Sequence, residues 1–245
     1  MLMKKFENVK KNFGFGCMRL PMNGEKVDCT EFCKMVDSFM ERGFNYFDTA
    51  RVYIGGQSET AIRECIVKRY PRESFILTNK LSTSLFNKEN EIRPLFEKQL
   101  ASCGTDYFDF YLMHAQGKSI FEKYKKCRAY EQALELKAAG KIKHMGISFH
   151  DTADVLDVIL TEYPQVEVVQ IQLNYVDFDD PAVQARKCAD ICKKHGVSVK
   201  FKNRTERIMN RDNTGPCPME QTVFGTDNIE EGVNAIMKKT GKYKK

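Results

Sequence analysis

The sequence predicts an α/β fold, a (β/α)8 barrel of the TIM type, on three observations. Short apolar strands alternate with segments of helical period. One strand follows another every roughly 25–35 residues, the length of one βα unit. The strands are apolar on both faces, as a parallel sheet covered by helices requires. The 245 residues also suit a single barrel, which takes about 250.

GFGCMRLP (14–21) is the opening run. From Cys29 to Gly43, Phe32, Met35, Val36, Phe39 and Met40 share one helix face, and Gly43 is the stop. FNYFDTA reads as a strand, after which Ser58 is placed to cap a helix over ETAIRECIVKRY. SFILTNKL is the next strand and EIRPLFEKQLASCG the next helix. YFDFYLMH then reads as a buried strand, and FEKYKKCRAYEQALELKAAG as one long amphipathic helix ending at Gly140. HMGISF, a helix over TADVLDVILTEY stopped by Pro164, and VEVVQIQLNY follow. Asp180-Pro181 opens a helix through His195, and VSVKFK is one more strand. GFGCMR tests the doubly wound alternative: Arg19 stands where the third glycine of a dinucleotide fingerprint belongs, and Pro21 and Asn23-Gly24 make a turn instead of a helix start. The barrel is preferred.

Composition excludes several classes. A 42% hydrophobic content, with 17 Phe and 10 Tyr, is not that of a disordered chain. No apolar run approaches the roughly 18 residues of a membrane span, and MLMKKFENVKKN lacks the apolar core of a secretory signal. Nine cysteines without a CxxC pair argue against a disulfide framework or zinc ribbon, so a cytoplasmic location is expected. Of the net charge of +6, ten basic against six acidic residues lie from Lys200 onward. This basic end is read as a solvated terminus, not as a nucleic-acid or membrane contact. Cys188, Cys192 and His195 share a helix face, but no fourth ligand accompanies them, and core packing is preferred to a metal.

In a barrel, side chains at the C-terminal strand ends share one mouth. Those ends carry Asp48, Lys80, His114, Ser148 and Gln170, and Tyr53 lies on the loop five residues past Asp48. A charged lysine among FILTN and LSTSLF needs an anionic partner, and Asp48 is nearest in strand order. The ammonium would lower the Tyr53 phenol from its usual value of about 10. Such a phenol can hand a proton to a developing alkoxide while His114 orients a carbonyl. Each residue alone has a structural explanation, and only their convergence points to chemistry.

GFGCMRLP, GFNYFDTARVYIGGQSE, LTNKL, YFDFYLMH, GKIKHMGIS and VVQIQLNY, in this order and spacing over residues 12–199, resemble the signature blocks of aldo-keto reductases. The phrasing YFDFYLMHAQ and GISFHD is most similar to bacterial members that often carry a C-terminal ferredoxin-like domain. The resemblance implies a barrel oxidoreductase reducing an aldehyde or ketone, a small-molecule substrate, with hydride from NADP(H), NAD(H) being the other candidate. It implies Tyr53 as general acid, Lys80 and Asp48 as its tuning pair and His114 as the carbonyl-orienting group. Ser148 and Gln170 would hold the nicotinamide carboxamide, and Gly16, Cys17 and Met18 would line the nicotinamide end. A monomer or weak homo-oligomer is expected, with no metal.

Two departures stand out. Phe149 replaces the usual Asn after Ser148, which removes a hydrogen bond and substitutes an apolar contact. After Ser198 the chain leaves the family pattern, and without a CxxCxxC run no iron–sulfur cluster is expected. The expected organisation is a barrel body over 1–199 and a divergent basic segment over 200–245 that completes the barrel in part, with the last one or two βα units abbreviated or irregular. VSVKFK and QTVFG are the candidate substitutes, and Lys200, Lys202 and Arg204 are read as surface charge. The alternative is a truncated, catalytically impaired relative that binds the cofactor weakly.

Overall fold

A computed structural model describes residues 6, 8–172, 180–181, 183–203 and 220–224, with 201–203 and 220–224 described as backbone. In chain order come β1 (Gly14–Gly16), a small hairpin of β2 (Met22–Asn23) and β3 (Lys26–Val27), α1 (Cys29–Glu41) and β4 (Tyr46–Asp48). Then follow α2 (Gln57–Ile62), β5 (Ile76–Leu81), α3 (Ile92–Cys103), β6 (Phe108–Gln116), α4 (Lys118–Lys126) and α5 (Ala129–Ala138). The order ends with β7 (Ile142–Phe149), α6 (Ala153–Glu162), β8 (Val168–Gln172), α7 (Ala185–His195), β9 (Ser198–Asn203) and β10 (Glu220–Phe224).

Eight strands close into a barrel in the order β1-β10-β9-β8-β7-β6-β5-β4. Seven run parallel to their neighbours, while β10 is antiparallel to both β9 and β1. The last stave is therefore irregular, and it nevertheless removes the open edge that a seven-stranded sheet would expose. VSVKFK and QTVFG supply β9 and β10. Arg204 and the rest of the basic end over 204–219 and 225–245 lie outside the described residues.

Strand alternation sorts the interior. Phe47, Leu77, Tyr111, Met113, Ile147, Phe149, Val169, Ile171 and Val199 join the large core beneath the helices. Tyr46, Ile76, Phe110, Leu112 and Val168 turn inward and form a separate core inside the barrel, with Phe6 and Val9 packed on it. The Phe6 ring lies 4.8 Å from Phe110 and 4.7 Å from His144, so this end of the barrel is a packed floor. The inward positions further along the same strands, toward their C-terminal ends, are the polar ones.

Local expectations differ from the structure at three points. Ser58 does not cap a helix; Gly56, left-handed at φ 92°, holds the N-cap of α2. Ser58 is buried and its hydroxyl donates to the Cys17 carbonyl (2.8 Å). The long helix breaks into α4 and α5 at Arg128, which takes φ 51°. The helix opened by Asp180-Pro181 starts at Ala185, after Gln184 at φ 49°.

Gly146 on β7 is crowded by both neighbouring strands: a Cβ there would meet Val168 Cγ1 at 2.4 Å, the Val168 carbonyl at 2.5 Å and Leu112 Cδ2 at 2.7 Å. Gly146→Ala is expected to cost about 1–3 kcal/mol through overpacking, read as a lower urea midpoint.

Below the floor, Glu167 accepts from Lys137, from the Met145 N–H (3.1 Å) and from His144 Nδ1 (2.9 Å). Burial pushes its carboxyl up, but His144, Lys137 and the Met145 amide outweigh it and hold it at about 2. A lowered folded value means stability that is present above the ordinary carboxylate range and lost as pH falls toward 2. Glu167→Gln is therefore expected to lower stability by roughly 2–3 kcal/mol at neutral pH, with the gap to the parent closing on acidification, as denaturation midpoints from pH 7 down to 2 would show.

Candidate active site

The site is built on β4. Asp48 ends that strand, and its carbonyl accepts from the Cys17 N–H (2.8 Å), which ties the loop after β1 against it. The chain then folds back over the mouth: Thr49 N–H donates to the Thr78 carbonyl (2.9 Å) and Tyr53 N–H to the Ala50 carbonyl (3.0 Å). Ile54 (φ 50°), Gly55 and Gly56 continue in the left-handed region. The result is a Tyr53 side chain only 5% exposed, on the wall of a cleft of about 420 Å³.

Lys80 comes from β5 and is completely buried. Its ammonium donates to Asp48 Oδ1, to the Thr49 carbonyl (2.7 Å) and to the Tyr53 hydroxyl oxygen (3.1 Å). All three of its hydrogens are thereby used. The anionic partner expected from strand order is the one found.

The other carboxylate oxygen holds a residue that sequence reasoning put on the surface. Lys200 of β9 is 1% exposed, and its ammonium donates to Asp48 Oδ2 and to the Tyr46 hydroxyl (2.8 Å). Strand register explains the correction: Lys200 pairs with Gln170 and Ser198 with Val168, so alternation turns Lys200 inward. One carboxylate is thus shared by two ammoniums. Burial would push the Asp48 carboxyl up, but Lys200 and Lys80 outweigh burial and hold it far below the ordinary range. Burial, and then the Asp48 charge, push the Tyr46 phenol well up, so Tyr46 stays neutral, with a further hydrogen bond to Thr78 Oγ1.

His114 sits on β6 where the register with β7 shifts between Met113 and Gln116. Ala115 takes φ 54° there, and its N–H donates to Ser148 Oγ (2.8 Å). His114 Nδ1 is 2.7 Å from Ser82 Oγ, and its ring meets Tyr53 edge-on with centroids 6.0 Å apart. Met18, Val52, Ile54, Ala115 and His150 complete the cleft around Tyr53 and His114. Sequence reasoning missed Ser82 and His150. Their signal was position alone, one residue beyond the C-terminal end of β5 and of β7.

The residues expected to hold a cofactor divide into two groups. Gly16 pairs with Asp48, Cys17 is buried with its thiol 3.9 Å from the Phe15 carbonyl, and Met18 reaches the cleft. Ser148 and Gln170 face each other in register on β7 and β8. Gln170 is 2% exposed, and neither its Oε1 nor its Nε2 has a hydrogen-bond partner. A buried amide lacking both partners costs free energy, and a carboxamide, itself one acceptor and one NH2 donor, is the complementary shape. The site therefore fits a nicotinamide. Phe149 packs away from it, into the core under the helices.

Among the described residues no group of three or more His, Cys, Asp or Glu side chains is arranged to hold a metal. Cys188 and Cys192 are buried, and His195 Nε2 turns to Asp157 Oδ1 (2.5 Å). No helix among the described residues is long and apolar enough to cross a membrane.

Fold and cluster together define an α/β barrel with a charged group buried beneath its mouth. The family model of the Aldo/keto reductase family matches residues 12–200, and the chain belongs to that family. A second model, of a domain of unknown function (DUF1893), matches residues 182–240. The chain is 30% identical over 205 residues to dihydrodiol dehydrogenase 3 of Bos taurus, covering 75% of this chain and 59% of that protein. It is 31% identical over 144 residues to 3-alpha-hydroxysteroid dehydrogenase of Rattus norvegicus, covering 51% and 44%. Among solved structures it is similar to the holo form of an aldo-keto reductase from Bacillus halodurans, with TM-score 0.65 and 26% identity over 87% of this chain and 70% of that one. An aldo-keto reductase from Klebsiella pneumoniae in complex with NADPH shares the fold at TM-score 0.58 and 20% identity, over 76% and 61%. The chain spans less than two thirds of the curated relatives it matches, 59% of the first.

Asp48→Asn removes the carboxylate that the Lys80 and Lys200 ammoniums share. The expected loss is about 3–5 kcal/mol at neutral pH. Urea midpoints of both proteins check it.

Proposed function

We propose that this chain is an NADP(H)-dependent carbonyl reductase acting on a small aldehyde or ketone, with Tyr53 as general acid. The observation that carries this reading is the Lys80 ammonium, held by Asp48 and the Thr49 carbonyl and donating to the Tyr53 hydroxyl at 3.1 Å on the wall of the cleft. A phenol oxygen that accepts from an ammonium has its own hydrogen to pass on, and the ammonium stabilises the phenolate left behind. Tyr53 therefore protonates the oxygen of the reacting carbonyl as that oxygen becomes an alkoxide. His114, with Nδ1 at Ser82, presents the rest of its ring to the same cleft and orients the carbonyl. Asp48 holds the Lys80 side chain in place.

A bound nicotinamide would supply the hydride that, with the Tyr53 proton, completes reduction to the alcohol. Gln170 and Ser148 would hold its carboxamide, and Gly16, Cys17 and Met18 would border it. The two unpartnered amide atoms of Gln170 support this assignment. The presence of NADPH in the Klebsiella pneumoniae structure supports NADP(H) over NAD(H).

A second reading, a catalytically impaired relative with weak cofactor binding, draws on a different observation. The family match ends at residue 200, and the barrel closes through an antiparallel last strand. Cofactor titration separates the two. NADPH titrated into the protein, followed by its own fluorescence, is expected to saturate in the micromolar range, and a panel of aldehydes and ketones to give steady NADPH oxidation. Absence of saturation selects the second reading. Tyr53→Phe is expected to lower kcat about 10²–10⁴-fold with NADPH affinity nearly unchanged. A variant with parental rates would remove Tyr53 from the role of acid.

A further inference from the structure

We propose that Cys33 and Cys65 are a modification site of this protein, a dithiol that hydrogen peroxide closes into a disulfide joining α1 to the helical segment after α2. The inference is independent of the reductase reading, because neither residue lines the cleft. Cys29 and Cys33 share one face of α1, four residues apart and half-buried against the core. Cys65 is completely buried and faces them from a one-turn π-helix, Arg63–Val67, in which the Lys68 N–H reaches back to the Arg63 carbonyl (3.0 Å). All three are free thiols. The Cys65 thiol donates to the Cys29 carbonyl (3.4 Å). In an α-helix that carbonyl also accepts the Cys33 N–H, so the Cys65 sulfur sits on the turn that carries the Cys33 side chain. The two side chains are in hydrogen-bond contact. One guanidinium braces the two backbones: Arg69 Nη1 donates to the Cys33 carbonyl (3.5 Å) and to the Cys65 carbonyl (3.3 Å), while Nη2 is held by Asp37 Oδ2 (2.8 Å).

Cysteine is a common core filler, and burial alone does not mark a site. Here the sulfurs meet one another across two elements, one of them a π turn of the kind that recurs at functional sites, and solvent reaches one partner. Cys188 and Cys192 on α7, 1% and 0% exposed, lack that access. Burial, and then the Cys33 and Cys29 thiols, push the Cys65 thiol well up, so Cys65 keeps its proton while Cys33 meets the oxidant first. Among the described residues no such group is arranged to hold a metal, which leaves the chemistry of a pair. The Cys33 thiolate attacks one peroxide oxygen: an S–O bond forms, the O–O bond breaks, and the departing hydroxide takes up the thiol's proton as water. Cys65 then attacks the Cys33 sulfur: an S–S bond forms, the S–O bond breaks, and the sulfenic hydroxyl leaves with the Cys65 proton as a second water. The two thiols are oxidised and the peroxide is reduced. Sulfurs already in contact need only a short approach to the S–S length of about 2 Å.

A thiol map of the folded chain tests the proposal. The reduced protein is treated with hydrogen peroxide, the remaining thiols are blocked with N-ethylmaleimide as the chain is unfolded, and tryptic peptides are sequenced by mass spectrometry. The peptides VDCTEFCK and ECIVK are expected to appear as one linked species that dithiothreitol separates, with fragmentation placing the bond on Cys33. Cys188 and Cys192 are expected to stay reduced. Cys65→Ala is expected to lose the link and to carry Cys33 on to sulfinic acid, whereas Cys29→Ala keeps the link. A bond to Cys29 in place of Cys33, a link between two chains, or equal oxidation of Cys188 and Cys192 would overturn the proposal. So would a parental protein whose Cys33 stays reduced, or reaches sulfinic acid without linking. Fragmentation of the parental peptide assigns the pair by itself, so the decision stands even where a variant does not fold. If Cys33 links to Cys65 in a protein that reduces no carbonyl, the modification site holds and the reductase reading fails.

Discussion

A single carboxylate organises the interior of this barrel. Asp48 accepts from Lys80 on one oxygen and Lys200 on the other, and its own carbonyl receives the Cys17 amide. β1, β4, β5 and β9 are thereby tied to one residue. Lys80 passes the constraint on to Tyr53, and Lys200 passes it to Tyr46 and through it to Thr78. The Tyr53 phenol has its position because an ammonium holds it, and the ammonium has its position because a buried carboxylate accepts from it.

Barrel closure matters to this cluster more than to the helices outside. Lys200 points inward only while β9 keeps its register against β8, Gln170 beside Lys200 and Val168 beside Ser198. β10 covers the far side of β9, with Phe224 beside Lys200, and joins it to β1, whose Gly16 pairs with Asp48. An antiparallel stave is an unusual way to finish a parallel barrel, but the hydrogen-bonding edge is satisfied either way. A one-residue slip of β9 would turn Lys200 to the helix side and bring Val199 or Phe201 to face Asp48. The cluster and the closing strands thus stabilise one register together.

Much of this was legible in the sequence because it rests on period and on charge pairing. The strands through Asp48, Lys80 and His114 read as buried runs, and Lys80 needed an anion that strand order supplied. Lys200 was not legible, since in VSVKFK a lysine flanked by apolar residues is equally an edge-strand surface charge. Only the pairing of β9 with β8 decides which side it faces. The break at Arg128 escaped notice because neither glycine nor proline marks it; an arginine at φ 51° carries the turn. Ser58 has the composition of a helix cap, yet Gly56 starts the helix and frees the Ser58 hydroxyl for Cys17 and Thr49. In each case local chemistry allowed two outcomes, and tertiary contact chose.

Three charges in a dry interior are a poor way to stabilise a fold. Desolvating each ion costs several kcal/mol, and apolar residues of the same volume often do as well or better. The cluster is placed next to a phenol at an open cleft, not in the packed floor formed by Phe6, Phe110 and Val168. Beside Lys200, on the neighbouring strand β8, Gln170 keeps a buried amide with neither atom bonded, a second cost that folding alone does not recover. Stability would be served by removing both features. Their joint presence at the C-terminal strand ends is what a site built to bind an amide and move a proton requires, and it is on that physical ground, beyond kinship, that a reductase is the reading to test.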